Sequence, residues 1–225
     1  MVNVYWASLN DSWLLSDEPV DVWRNFYKTG KIKNGIEKCP AFNSHMKNYW
    51  GIKSDYKLNF NVDYSNGSVD ADDLDTYHQV MWCRNPETKL WSFKNNIVMF
   101  TDAPSLYAHL NLPPWLEDND FAKKTKPIAG GFDIGKWFRP LEYSFFLEED
   151  SMKINYGDIY QYIYLDTDEK VNWIKFAPTE DVLWWIDNVS QERNVHKNKK
   201  LPWFYDHLTP KIKKKILAAI KDAVV

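Results

Sequence analysis

Between Leu141 and Phe176 the chain runs through four short apolar segments divided by brief polar breaks. Leu141–Leu147 stops at Glu148-Glu149-Asp150, and Met152–Tyr156 alternates before Gly157-Asp158. Ile159–Leu165 stops before Thr167-Asp168-Glu169, and Val171–Phe176 closes the run. Segments this short have the length of strands rather than helices. Breaks this short leave no room for the crossover of a dozen or more residues that parallel neighbours need. The pattern therefore predicts an antiparallel β-meander, and it commits the chain to a fold containing a sheet.

The flanking segments extend that expectation. Val2–Leu9 reads as an opening strand, and Val22, Trp23, Phe26 and Tyr27 recur at helical spacing, predicting a short helix up to Gly30. Cys39-Pro40 opens a second short helix, and Tyr56–Val62 alternates as a strand with one buried face. Residues 63–79 carry Asp70, Asp72, Asp73 and Asp75 and read as a solvated loop, without the glycine and terminal glutamate offsets of an EF-hand. Val80–Arg84, Leu90–Phe93 and Ile97–Phe100 read as strands broken at Asn85-Pro86 and Asn95-Asn96. Thr179 ahead of Glu180-Asp181 and Thr209 ahead of Pro210 are helix starts, predicting helices over 180–193 and 210–224. The expected fold is one α+β, β-rich domain over 1–225. It is an antiparallel jelly-roll-like sandwich or partly closed barrel with two C-terminal helices, and its one candidate lobe boundary lies near 112–127.

Composition narrows the function classes. There are 28 basic and 31 acidic residues, a net charge of -3, which argues against a protein that coats nucleic acid. The basic cluster Lys197, Lys199, Lys200, Lys211, Lys213, Lys214 and Lys215 reads as a solvated helix face rather than a nucleic-acid contact. No apolar run is long enough to span a membrane. Cys39 and Cys83 are too few and too far apart for a disulfide scaffold or a cysteine zinc site, so both are expected as free thiols. The N-terminal segment lacks the pattern of a signal peptide, which places the chain in a cytoplasm. Aromatic residues (12 Trp, 13 Tyr and 12 Phe) exceed what a core of this size requires, leaving rings for flat binding surfaces as well as for burial.

Few segments carry the marks of chemistry. Gly130 to Lys136 fits GxxxxGK, but Trp137 replaces the magnesium-binding hydroxyl and Phe138-Arg139-Pro140 precludes the phosphate-holding helix. His45, His78, His109, His196 and His207 form no paired-ligand spacing, and no GxSxG elbow exists, so no metal and no cofactor is predicted. Asp133, Lys136, Trp137 and Arg139 are the ligand-binding candidates, with Arg139 suited either to a ligand anion or to a structural pair with a carboxylate such as Asp158. Tyr160, Tyr162 and Tyr164 at i, i+2 and i+4 would form a ladder on one strand face. Facing Trp137 and Arg139, such a ladder would take a small flat or anionic ligand.

Ile128–Pro140, with Gly157-Asp158-Ile159-Tyr160-Gln161-Tyr162-Ile163 and Thr167-Asp168-Glu169-Lys170-Val171, resembles an uncharacterised family of tailed bacteriophages, including cyanophages. Cys39-Pro40-Ala41, Pro113-Pro114 and the lysine-rich closing helix extend the resemblance over most of the chain. A more distant similarity links the segment 141–176 to a bacterial domain of unknown function. The resemblance implies a phage protein made in the host cytoplasm, and it carries over no catalytic residue. The expected function is that of a phage accessory protein binding a host or phage partner. The alternatives are an iron-dependent oxygenase-type enzyme, with iron in a pocket inside a β-barrel and an amino acid, peptide or sugar as substrate, and a virion component.

Overall fold

The computed structural model describes residues 1–10, 13–29, 38–94, 97–112, 118–141, 143–196, 198–200, 203 and 208–225. Gly30, the Asn95-Asn96 break, residues 113–117 of the candidate lobe boundary, Lys197 and His207 lie outside the described residues. The chain begins with strands β1 (Val2–Ser8) and β2 (Val20–Asp21), then helices α1 (Val22–Thr29) and α2 (Pro40–Met46). Strands β3 (Tyr49–Lys53), β4 (Leu58–Asp63) and β5 (Ser68–Ala71) precede α3 (Leu74–Val80). Next come β6 (Met81–Asn85), β7 (Leu90–Phe93), β8 (Ile97–Thr101), β9 (Tyr107–Leu112), α4 (Asp120–Lys124), β10 (Thr125–Pro127) and β11 (Gly130–Asp133). The chain ends with β12 (Tyr143–Leu147), β13 (Ser151–Ile154), β14 (Ile159–Leu165), β15 (Val171–Lys175), α5 (Glu180–Val195) and α6 (Pro210–Asp222).

The fold is mixed α+β and rich in strands. The described strands form four sheets, ordered β15-β1-β8, β10-β12-β7-β6, β11-β9-β14-β3-β2 and β13-β4-β5. Every pairing is antiparallel except β1 with β15, and no sheet closes into a barrel. The two closing helices form where the caps predict, and the Thr209 hydroxyl accepts from the Ile212 N–H at 3.3 Å.

The four segments between Leu141 and Phe176 are strands, as their alternation predicts, but the meander is overturned. No two of them pair: β12 lies between β10 and β7, β13 beside β4, β14 between β9 and β3, and β15 beside β1. Strand β14 supplies the physical reason. It is buried at every position except Tyr164, so both of its faces are covered. A meander strand with one wet face would leave half of those side chains in water. The turn before it works as a corner rather than a hairpin. Gly157 takes φ 82°, and the Asp158 carboxylate accepts from the Asn155 N–H at 2.8 Å and from its side-chain amide at 3.1 Å. The backbone of Gly157 and Asp158 then pairs with Ser54, at 2.9 and 2.8 Å, and leads the chain away from β13.

The stretch 63–79, read as a loop, is also corrected. It holds β5 and α3, with Asp73 capping the helix by accepting from Thr76 N–H at 2.9 Å. Its exposed faces made it look unstructured.

Apolar side chains divide into three layers. The main core joins the inner faces of all four sheets and centres on Phe93, whose ring lies 4.9 Å from Tyr160, 5.2 Å from Phe145 and 5.7 Å from both Phe121 and Tyr143. A second layer packs the other face of the β15-β1-β8 sheet (Tyr5, Ala7, Val98 and Phe100) on Val182, Ile186, Ile216 and Ile220 of α5 and α6. A third sets Val22, Phe26 and Met46 of α1 and α2 on Tyr49, Ile159 and Tyr162. No helix among the described residues is long and apolar enough to cross a membrane.

Two predictions arise from this packing. A Cβ at Gly131 would sit 2.6 Å from the Ala108 carbonyl oxygen, and backbone cannot swing aside. Gly131→Ala should therefore cost about 1–3 kcal/mol in urea unfolding. The second concerns alkali. Burial holds Tyr143 and Tyr160 well above the ordinary phenol range and pushes Tyr77 up to about 12. A raised folded value stabilises fully below the unfolded value of about 10, and that stability is lost as pH rises through the folded one. The melting temperature should fall steeply above about pH 10. Tyrosinate absorbance from the buried phenols should grow together with the loss of β-sheet circular dichroism.

Candidate functional site

The loop that carries Asp133, Lys136, Trp137 and Arg139 is built from its backbone outward. Strand β11 pairs with β9 and ends at Asp133, which is buried. One carboxylate oxygen accepts from Leu106 N–H at 3.0 Å and Gly135 N–H at 2.8 Å, while the other accepts from the Ser105 hydroxyl. The Lys136 ammonium stands 3.5 Å from that second oxygen. Lys213, from α6, donates to the carbonyls of Gly135, at 2.9 Å, and Ala103. Burial lowers the pKa of Lys213, and the nearby Asp133 and Asp102 offset part of that effect. Asp133 thus spends its lone pairs on shaping its own turn, and Lys213 pins the closing helix to it.

Trp137 is buried, and the Arg139 guanidinium lies 5.6 Å from the centre of its ring, in cation–π range. Phe138 between them packs on Phe100 at 5.1 Å in the second layer. The segment 137–139 is not strand, so the shared face that a two-residue spacing would give is not formed there.

The tyrosine ladder does not form either. A β-bulge in β14 between Ile159 and Gln161 inserts Tyr160 as an extra residue and reverses the alternation behind it. Tyr160 points into the main core, while Tyr162 lies in the layer under α1 and α2. Tyr164 packs against that layer, 5.1 Å from Tyr49 and 5.6 Å from His109.

The remaining candidates are dispersed. Lys211, Lys214 and Lys215 are exposed, Lys200 is exposed, and the Lys199 ammonium lies 5.5 Å from the centre of the Trp203 ring. His78 contacts Tyr77, His196 contacts Trp203, and His109 lies between Tyr107 and Tyr164. Among the described residues no group of three or more His, Cys, Asp or Glu is placed to hold a metal ion. Cys39 and Cys83 are free thiols, and burial pushes the Cys83 thiol up, away from the reactive thiolate.

A groove that sequence reading missed lies where α1, the end of α2, β3 and the β14–β15 turn meet. It encloses about 500 Å³, within the range of small-molecule and peptide sites. Trp23, Trp50 and Met46 supply its apolar lining, and Arg24, Lys47 and Lys170 with Asp21 and Asp168 its charged rim. Trp23 stacks edge-on against Phe42 at 5.4 Å, and Trp50 edge-on against Trp173 at 5.4 Å, so both indoles are held by neighbouring rings. Asn48 fixes one wall. It adopts φ 63°, a left-handed geometry that asparagine tolerates, and its amide donates to the Thr167 carbonyl at 2.5 Å. Lys47 donates to the Asp168 carbonyl at 2.6 Å. Asp21 accepts from Arg24 N–H at 2.9 Å and starts α1. Lys170 makes no ion pair among the described residues. The groove offers ring faces for stacking and cations for charge-assisted hydrogen bonds. In the sequence, Trp23 stands out only as one of four residues at helical spacing, which does not point to a groove.

No protein-family model, curated protein or solved structure matches the chain.

The roles of Asp133 and Lys136 separate in a stability measurement. Asp133→Ala leaves buried N–H groups without an acceptor and should cost about 1–3 kcal/mol or more. Lys136→Ala, at an exposed position, should stay within about 0.5 kcal/mol of the parent in the same urea titration.

Proposed function

We propose that this chain is a non-catalytic binding protein, a phage accessory protein acting in the host cytoplasm, which holds a host or phage partner through the Trp23–Trp50 groove. The observation that carries the reading is the pairing of two ring-braced indoles with three cations around a hollow of about 500 Å³. Tryptophan and arginine are the residues most often found to dominate binding energy at interfaces, because they combine large apolar area with directed polar contacts. A partner would lay an apolar or planar group on Trp23 and set an acidic group against Lys170. Asp168, Lys170 and Val171, which lie in the segment that carries the phage-family resemblance, line this groove.

The test compares two variants of the groove lining. Tagged wild-type chain, Trp23→Ala and Lys170→Glu are used side by side to capture partners from infected cells. A stoichiometric partner should be recovered with the wild type and reduced at least tenfold with either variant, at a temperature where circular dichroism shows each variant folded. Equal recovery by all three would remove the groove from the reading. Stoichiometric iron in the purified chain would redirect it to the oxygenase-type enzyme, and recovery of the chain from purified virions to a virion component.

A further inference from the structure

The sheet ordered β15-β1-β8 ends at β15, and the far side of that strand is paired only at its last residues. The Val2 N–H donates to the Lys170 carbonyl and the Phe176 N–H to the Trp6 carbonyl, both at 3.0 Å. These bonds fix the phase of the parallel ladder with β1. In such a ladder every second residue turns its N–H and C=O to the neighbour, and the residues between turn theirs away. Asn172 and Ile174 therefore serve β1, while Val171, Trp173 and Lys175 face outward. Residues 223–225 bear out the phase. Val224 is bridged antiparallel to Phe176, the Val225 N–H donates to the Lys175 carbonyl at 3.2 Å, and the Ala177 N–H donates to the Ala223 carbonyl at 2.8 Å.

Beyond Val225 this second ladder stops. The backbone N–H and C=O groups of Val171 and Trp173 make no hydrogen bond among the described residues, although both residues are buried. Strand backbone removed from water needs a partner. The stretch Val171-Asn172-Trp173-Ile174 carries no proline, no charge and no register shift, the devices that keep a strand edge from pairing. At its Val171 end the edge runs into the Trp23–Trp50 groove, which Lys170 and Val171 line.

We propose that the free edge of β15 takes an extended segment of a partner protein as an added antiparallel strand, continuing the line of residues 223–225 into the groove. Main-chain hydrogen bonds to Val171 and Trp173 would hold the segment, and alternate side chains would give selectivity. Positions opposite Val171 and Trp173 share the face of those two side chains, which belong to the main core, so they suit apolar residues. The end that reaches Lys170 suits a carboxylate. This deepens the groove reading and rests on it only for that acidic end.

The test uses a capped synthetic peptide, Val-Thr-Val-Thr-Val-Glu, at millimolar concentration, and amide hydrogen exchange followed by NMR. In the free chain the amides of Asn172 and Ile174 should be protected and those of Val171 and Trp173 should not. The peptide should slow exchange at Val171 and Trp173 by about tenfold. N-methylation of the peptide's valine amides, which face β15 in this register, should abolish the effect, and N-methylation of its threonine amides should leave it. Lys170→Glu should weaken the midpoint about threefold. Protection retained in Trp23→Ala supports the strand site whether or not partner capture needs the groove. Partner capture lost in Trp23→Ala, with no protection of Val171 and Trp173 by the peptide, keeps the groove reading and overturns this one. Equal effects of the two methylated peptides overturn it too. So does protection of Val171 and Trp173 in the free chain, and protection that rises with protein concentration would assign the edge to a second copy.

Discussion

Strand β14 has to be dry on both sides, and much of the molecule is arranged to make it so. One face meets the main core through Tyr160, Ile163 and Leu165, and the other meets α1 and α2 through Ile159 and Tyr162. Its two edges are taken by β3 and β9. A strand buried this fully needs all its backbone groups paired and both faces filled. The bulge between Ile159 and Gln161 lets a single strand serve two layers out of step, sending Tyr160 toward Phe93 while Tyr162 faces the helices. The Trp23–Trp50 groove lies beside the turn that joins β14 to β15.

The same economy explains the loop at Asp133. A carboxylate that satisfies two backbone N–H groups and a hydroxyl acts as a fixed part of the scaffold. Lys213, reaching the neighbouring carbonyls from α6, joins that scaffold to the closing helices. Charged residues in a glycine-flanked loop resemble a ligand cradle in one dimension because both need the same chemistry, which is polar atoms converging on exposed backbone. Only the third dimension tells whether the backbone being served is the protein's own.

Local signals were legible in the sequence, and partnerships were not. The strands between Tyr143 and Lys175 and the helices α5 and α6 follow from alternation, spacing and caps, all of which act within a few residues. Which strands lie side by side depends on contacts such as Gly157 with Ser54, between residues distant in the chain, and no periodicity records them. The bulge is equally silent, since Ile159-Tyr160-Gln161-Tyr162 alternates no differently from a regular strand. The groove was hidden for another reason. Trp23 and Trp50 come from α1 and β3 and meet the β14–β15 turn through the contacts of Lys47 and Asn48 with its carbonyls. Composition showed a surplus of rings but not where they would gather.

The parallel pairing of β1 with β15 has a consequence for the order of assembly. Val2 to Trp6 align with Val171 to Lys175, so the opening strand finds one of its two neighbours only after more than three-quarters of the chain has been laid down. Until then β1 has β8 on one edge and bare N–H and C=O groups on the other. Contacts between residues so distant in sequence carry a high entropic cost of loop closure and slow the search for the native topology. The layer beneath α5 and α6 is built on this same sheet, so the closing helices have no finished surface to dock on before that edge is sealed. The β15-β1-β8 sheet therefore cannot be complete before residues 171–175 have been made, and a nascent chain held short of them carries an open strand edge that a chaperone or a neighbouring chain could fill.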